Sequence, residues 1–170
     1  SVLHSIELGT HTGTHLDVPQ HIMSKGKSLN DYNPSKFFGK AVKVTLQNYQ
    51  DILDKIVDID AILVDTGWST NYVDPDVFYG SKRPSFPLQF IEKCISKNIK
   101  IFGCDLPSVD SKSAINKPVH NNLLINDIII YENLTNLDKI SSGLTFMFYG
   151  FPLPFKELDG SPVRAVAVLD

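Results

Sequence analysis

The chain has 170 residues, 42% of them hydrophobic, which suits one domain with a sizeable core. Sixteen Lys and Arg against nineteen Asp and Glu give a formal net charge of −3, so the basic footprint needed for nucleic acid or an anionic membrane is missing. No apolar stretch approaches the ~18–20 residues of a membrane span, no signal-peptide pattern is seen, and two cysteines cannot build a disulfide scaffold, all of which describes a soluble chain expected in the cytoplasm.

Taken in chain order, the pattern alternates short strands with a few helices. Val2–Leu8 alternates apolar and polar residues, with His4 on the Ile6 side, and predicts a half-buried strand. Ala41–Leu46 is rich in strand formers, and Asp51–Val57 carries Ile52, Leu53, Ile56 and Val57 at helical spacing. Ala61–Val64 predicts a buried strand that ends at the turn Asp65-Thr66-Gly67. Pro87 suits the first turn of a helix whose stripe is Phe90, Ile91, Cys94 and Ile95. Strands are predicted at Ile99–Gly103, Ile128–Tyr131, Leu144–Tyr149 and Val163–Leu169, with a short helix around Asn121–Ile125. Mixed strands and helices with short connections predict an α/β or α+β layered domain, and the fold class expected is α/β: a single layered domain of mixed sheet with helices packed on it. Strand order does not follow from these signals.

The most informative segment is His11-Thr12-Gly13-Thr14-His15-Leu16-Asp17-Val18-Pro19-Gln20-His21. It holds three of the chain's five histidines and an aspartate, all at odd positions, so an extended ribbon would present them on one face. Extension alone makes no shared site. Residues four apart in a strand lie roughly 13 Å apart, whereas zinc–nitrogen bonds are about 2.0–2.1 Å. The backbone must therefore bend, and Gly13, midway between His11 and His15, can take the positive φ of such a bend. Gly13, two threonines and Pro19 disfavour a helix here. The segment predicts a strand that breaks at Gly13 and gathers imidazoles around a metal. A plainer alternative makes Thr14 and Asp17 a capping box opening a short helix. Imidazole with carboxylate suits Zn²⁺ first, then Mn²⁺, Fe²⁺ or Co²⁺.

The pattern His-x-Gly-Thr-His-x-Asp-x-Pro-x-His resembles the signature of the metal-dependent cyclase family, which includes bacterial kynurenine formamidases and isatin hydrolases. Other stretches match in order: Asp65-Thr66-Gly67-Trp68, Gly103 to Asp110, His120 to Leu124, Tyr131 to Leu134, and Asp159-Gly160-Ser161-Pro162-Val163-Arg164-Ala165. The resemblance implies a swivelling β/β/α fold and a dinuclear site. His11, His15 and Asp17 would hold one ion; His120 and Glu132 would hold the second, with Asp17 bridging. His21 would be the proton-transfer residue. Two departures stand out. Only ten residues precede His11, where the family usually carries further strands, so residues 1–170 are expected to form one domain lacking them. Asn126-Asp127 follows the Leu-Leu pair, where the family often has Gly.

The implied activity is hydrolysis of a small-molecule amide by a metal-bound hydroxide, most concretely N-formylkynurenine to kynurenine plus formate. The alternatives are a cyclic amide such as isatin, or a non-catalytic metal- or ligand-binding domain. Two divalent ions are implied, zinc before manganese, in a homodimer or homotetramer. Thr66 and Trp68 are candidate substrate contacts, although Trp68 serves equally well as a structural aromatic. Asp105 and Asp110 read as turn or cap carboxylates rather than partners that orient the ligand histidines. Cys94, Cys104 and His4 read as structural.

Overall fold

The structure, a computed structural model, describes Ser1–Leu169 and joins its strands into one eight-stranded sheet. The strands are β1 (His15–Asp17), β2 (Phe38–Val44), β3 (Ala61–Val64), β4 (Ile101–Cys104), β5 (Ile129–Glu132), β6 (Thr145–Tyr149), β7 (Gly160–Pro162) and β8 (Val166–Val168). The helices are α1 (Tyr49–Lys55), α2 (Pro75–Phe78), α3 (Leu88–Ser96) and α4 (Pro118–Ile125). The sheet order is β7-β1-β5-β4-β3-β2-β6-β8: the four central strands are parallel, and antiparallel strands flank them on both sides.

The central strands are uniformly apolar because they are covered on both faces. Ile62 and Val64 of β3 look toward Leu53, Phe90, Ile91, Cys94 and Leu123 of the helices. Ala61 and Leu63 look the other way, into a second core with Leu16, Tyr131, Phe146 and Phe148, closed by loop residues such as Leu29, Phe37 and Leu137. The chain is thus a mixed α/β layered domain with its helices on one side of the sheet.

Most predicted elements fall where the pattern put them, with ends shifted by a few residues. The helix expected at Asn121–Ile125 begins earlier, at Pro118, because proline suits the first helical turn. The last strand is confined to Val166–Val168. Val2–Leu8 departs from expectation: it is neither a strand nor half-buried, with Val2 85% and Ile6 82% exposed. Alternation supplies a strand with two faces, but a strand also needs a sheet edge, and among the described residues this segment pairs with none.

An ionic lock ties the loop before β2 to the turn that follows α4. Asp127 accepts hydrogen bonds from the Tyr32 hydroxyl (2.6 Å) and from the ammonium groups of Lys27 (3.2 Å) and Lys36 (3.1 Å). Asp127 is also left-handed, with φ 58°. Partial burial raises its carboxyl pKa, but the donors from Tyr32, Lys36 and Lys27 outweigh that and hold it below the ordinary value. A carboxylate depressed in the folded state stabilises the fold above its unfolded pKa, and that contribution disappears as pH falls through the folded value. The Asp127 side chain is 41% exposed and solvent screens its ion pairs, so Asp127→Ala is expected to cost only about 0.5–1.5 kcal/mol at neutral pH. In denaturant titrations the gap from wild type should narrow below about pH 4.

Candidate metal centre

The site is built where β1 inserts between β5 and β7. Antiparallel pairing sets His15 opposite Glu132, and the two-residue period sends His15 and Asp17 to the same side while Leu16 goes into the second core. Gly13, at φ 63°, makes the expected break just before the strand. Its carbonyl accepts from His15 Nδ1 (2.8 Å) and from the Asn133 amide (2.9 Å). The Thr14 hydroxyl donates to the Asn133 carbonyl, so it caps no helix, and the alternative of a capping box fails. The bend returns His11 to Asp17: their Nδ1 and Oδ1 atoms are 2.7 Å apart.

His120 arrives from the first turn of α4, and Glu132 from the carboxyl end of β5. Asp110 controls the first of these. It accepts from the backbone N–H groups of Val119 (2.9 Å) and His120 (3.1 Å) and from His120 Nδ1 (2.6 Å). Glu132 Oε1 accepts the Val109 N–H at 2.7 Å. Asp110 thus orients a candidate ligand, against its sequence reading as a plain cap, whereas Asp105 is the turn carboxylate expected, accepting from Thr66 and Ser69.

The inward atoms have the spacing of a coordination shell. His15 Nε2 lies 3.4 Å from Asp17 Oδ1 and 3.4 Å from Glu132 Oε2. His120 Nε2 lies 3.5 Å from Asp17 Oδ2 and 3.4 Å from Glu132 Oε1. These separations are long for hydrogen bonds, which cluster at about 2.7–3.2 Å. They match the ~3.4 Å edge of a tetrahedron whose ligands sit about 2.0–2.1 Å from the centre. Asp17 Oδ2 is buried without a hydrogen-bond donor among the described residues, a costly state for a carboxylate oxygen unless a cation satisfies it. The outer nitrogens of His15 and His120 are already bound to Gly13 and Asp110, as metal-ligating histidines require. These residues therefore fit a divalent ion, the two Asp17 oxygens face different histidines, and His11 stands at hydrogen-bond distance from Asp17 Oδ1.

Residues 3–111 match the family model described as putative cyclase. The chain belongs to that family. It is 34% identical to a kynurenine formamidase of Geobacillus thermodenitrificans, across 94% of this chain and 77% of that protein. It is 32% identical to an uncharacterized protein of Methanocaldococcus jannaschii, across 99% of this chain and 83% of that one. Isatin hydrolase A from Labrenzia aggregata shares the fold of this cyclase-family chain, with a TM-score of 0.85 at 23% identity over 98% of this chain and 76% of that one. The Ralstonia solanacearum isatin hydrolase A gives 0.83 at 23% identity over 95% and 73%.

In this cyclase-family site burial disfavours charge on His11, His15, Asp17 and His120, yet nearby opposite charge wins for each of them. His15 is pushed up to about 10 by Asp17 and Glu132 despite burial, and His120 to about 11 by Asp110, Asp17 and Glu132. Burial likewise raises Asp17, but His11, His120 and His15 hold it well below the usual carboxylate range. His21 goes the other way: burial lowers it, and the pull of Asp17 and Asp159 does not restore it.

The five predicted ligands converge, and His21 stands beside them, its ring centroid 4.1 Å from that of His11 and 5.6 Å from that of His120. His21 also groups with His11 and Asp17 at ligand distance, so it could serve as a ligand as well as a proton carrier. Thr66 and Trp68 have internal partners instead. The Thr66 hydroxyl donates to Asp105, and the Trp68 indole donates to the Phe78 carbonyl while its ring packs on the core. Cys94 and Cys104 are buried and unpaired, as structural cysteines would be.

Two contributors carried no role in the sequence analysis. Asp159 Oδ2 lies 2.8 Å from His11 Nε2 and 3.1 Å from His21 Nδ1. Gly160 makes room for the first of these rings: a Cβ there would stand 2.8 Å from His11 Cε1 and 2.7 Å from the Leu16 carbonyl oxygen. Gly160→Ala is therefore expected to cost about 1–3 kcal/mol by overpacking. Thermal denaturation and metal analysis should show lower stability together with weaker metal retention.

Proposed function

We propose that this chain is a metal-dependent amide hydrolase of the arylformamidase type, converting N-formylkynurenine to kynurenine and formate. Kinship with the formamidase supports the substrate, and the observation that carries the reaction class is the shell of His and carboxylate donors around the orphaned oxygen of Asp17. His11 and His15 with Asp17 Oδ1 would hold one divalent ion; His120 and Glu132 with Asp17 Oδ2 would hold the other. Zinc suits these donors first and manganese next. Bound there, such ions supply Lewis acidity, which acidifies water and polarises a carbonyl.

The protein's own groups do the positioning and the proton transfer. Asp110 and the Gly13 carbonyl lock the His120 and His15 rings with Nε2 inward. The Val109 N–H holds Glu132 Oε1 in place. His21, whose pKa burial lowers from the ordinary imidazole value, would take a proton as water adds to the amide carbon and return it to the nitrogen as the C–N bond breaks. One water is consumed, and an amine and a carboxylic acid leave. We place this activity in the cytoplasm and expect a homodimer or homotetramer; the two unpaired cysteines are in keeping with a reducing compartment.

The test is a paired assay of metal-loaded protein with N-formylkynurenine and with isatin. Faster turnover of the linear formamide is expected. Preference for isatin would reassign the substrate to a cyclic amide, and hydrolysis of neither would defeat the proposal.

A further inference from the structure

Metal-binding histidines work only if the nitrogen facing away from the ion is held by a fixed acceptor, which sets both the tautomer and the ring angle. Applied to the imidazoles of this site, that rule leaves two of them to one residue. His15 uses the Gly13 carbonyl and His120 uses Asp110. His11 and His21 both turn to the same atom, Asp159 Oδ2, at 2.8 and 3.1 Å.

We propose that Asp159 is a positioning residue that fixes His11 and His21 through a single carboxylate oxygen, and so joins metal capture to proton transfer. The inference rests on the metal-hydrolase reading above and adds a residue to it. His11 donates from both ring nitrogens, Nδ1 to Asp17 Oδ1 at 2.7 Å and Nε2 to Asp159 at 2.8 Å; an ion held there would take the place of the Nδ1 proton while Asp159 keeps the Nε2–H. With its Nδ1–H donated to the same oxygen, His21 presents Nε2 as an acceptor; the Lys117 ammonium donates to it at 3.2 Å and has to let go before that nitrogen takes a proton.

Asp159 is itself anchored at two points, which a loosely held surface carboxylate would not be. Its Oδ1 accepts from the Thr10 hydroxyl at 3.0 Å. Its backbone carbonyl accepts the Val18 N–H at 3.1 Å, continuing the β1–β7 ladder past Asp17. The next residue, Gly160, lacks the Cβ that would displace the His11 ring. Thr10, His11, Val18 and His21 flank the metal-binding segment, so one residue near the far end of the chain closes the loop that carries most of the candidate ligands.

The experiment compares wild type, Asp159→Asn, Asp159→Glu, His21→Ala and the double variant His21→Ala/Asp159→Asn. Zn²⁺ affinity is measured by competition with a chromophoric chelator, and kcat and KM on N-formylkynurenine are measured with Zn²⁺ at saturation. Asp159→Asn is expected to weaken Zn²⁺ binding by about 10–100-fold and to lower kcat by a similar factor, with KM little changed. In the His21→Ala background the affinity loss should persist while the kcat loss largely vanishes, because the proton carrier is already gone. Asp159→Glu keeps the charge and should recover part of both, and it supplies the comparison if the asparagine variant does not fold. Wild-type Zn²⁺ affinity in Asp159→Asn, or a kcat loss undiminished without His21, would overturn the proposal. A wild-type protein that hydrolyses no amide would defeat the functional reading alone, since the affinity measurements need no substrate.

Discussion

Asp17→Asn is expected to remove both metal binding and turnover. Asp17 is fully buried and, among the described residues, is the one carboxylate in contact with all three of His11, His15 and His120, at 2.7, 3.4 and 3.5 Å. An amide of the same shape keeps one acceptor oxygen but replaces the other with an N–H₂ donor, and it carries no charge to bind a cation. Whichever way the amide turns, one of the two histidine groups loses its oxygen. Metal catalysis stabilises transition-state charge by several kcal/mol, so hydrolysis should fall by about 10³-fold or more. Purified Asp17→Asn should carry no stoichiometric metal. A variant that keeps both ions would show that Asp17 is no bridge.

His21→Ala separates proton transfer from metal binding. His21 sits at the end of the short helical turn Pro19–His21, held by Asp159, with its ring over His11. If it carries the proton to the leaving nitrogen, its loss should slow turnover by ~10²–10⁴ while metal content stays at the wild-type level. Because His21, His11 and Asp17 also lie within ligand distance of one another, the metal assay is decisive. Loss of metal with loss of activity would make His21 a ligand and leave the proton carrier to be found elsewhere.

How much was legible beforehand depended on whether the signal was local. The odd-numbered spacing of His11, His15, Asp17 and His21, with Gly13 between the first two, already demanded the bend that the structure shows. The apolar runs of the parallel strands were legible for the same reason, since their burial on two faces leaves no alternation to misread. His120 and Glu132 were found only through a family resemblance, and only pairing of β1 with β5 explains why Glu132 faces His15. Nothing in the neighbourhood of Asp159 points to His11 and His21, 148 and 138 positions away. Asp110 reads as a plain cap in the sequence because its reach to His120 Nδ1 depends on α4 starting at Pro118 rather than near Asn121. Val2–Leu8 failed for the complementary reason: a good strand pattern cannot show that a partner strand is there to meet it.

Diffraction from crystals grown with Zn²⁺, recorded on both sides of the zinc absorption edge, tests the centre most directly. The account predicts two anomalous peaks, one on each side of the Asp17 carboxylate, the first bonded to His11 and His15 and the second to His120 and Glu132. Peaks lying away from Asp17, or a fully loaded protein in which His120 and Glu132 touch no ion, would contradict it.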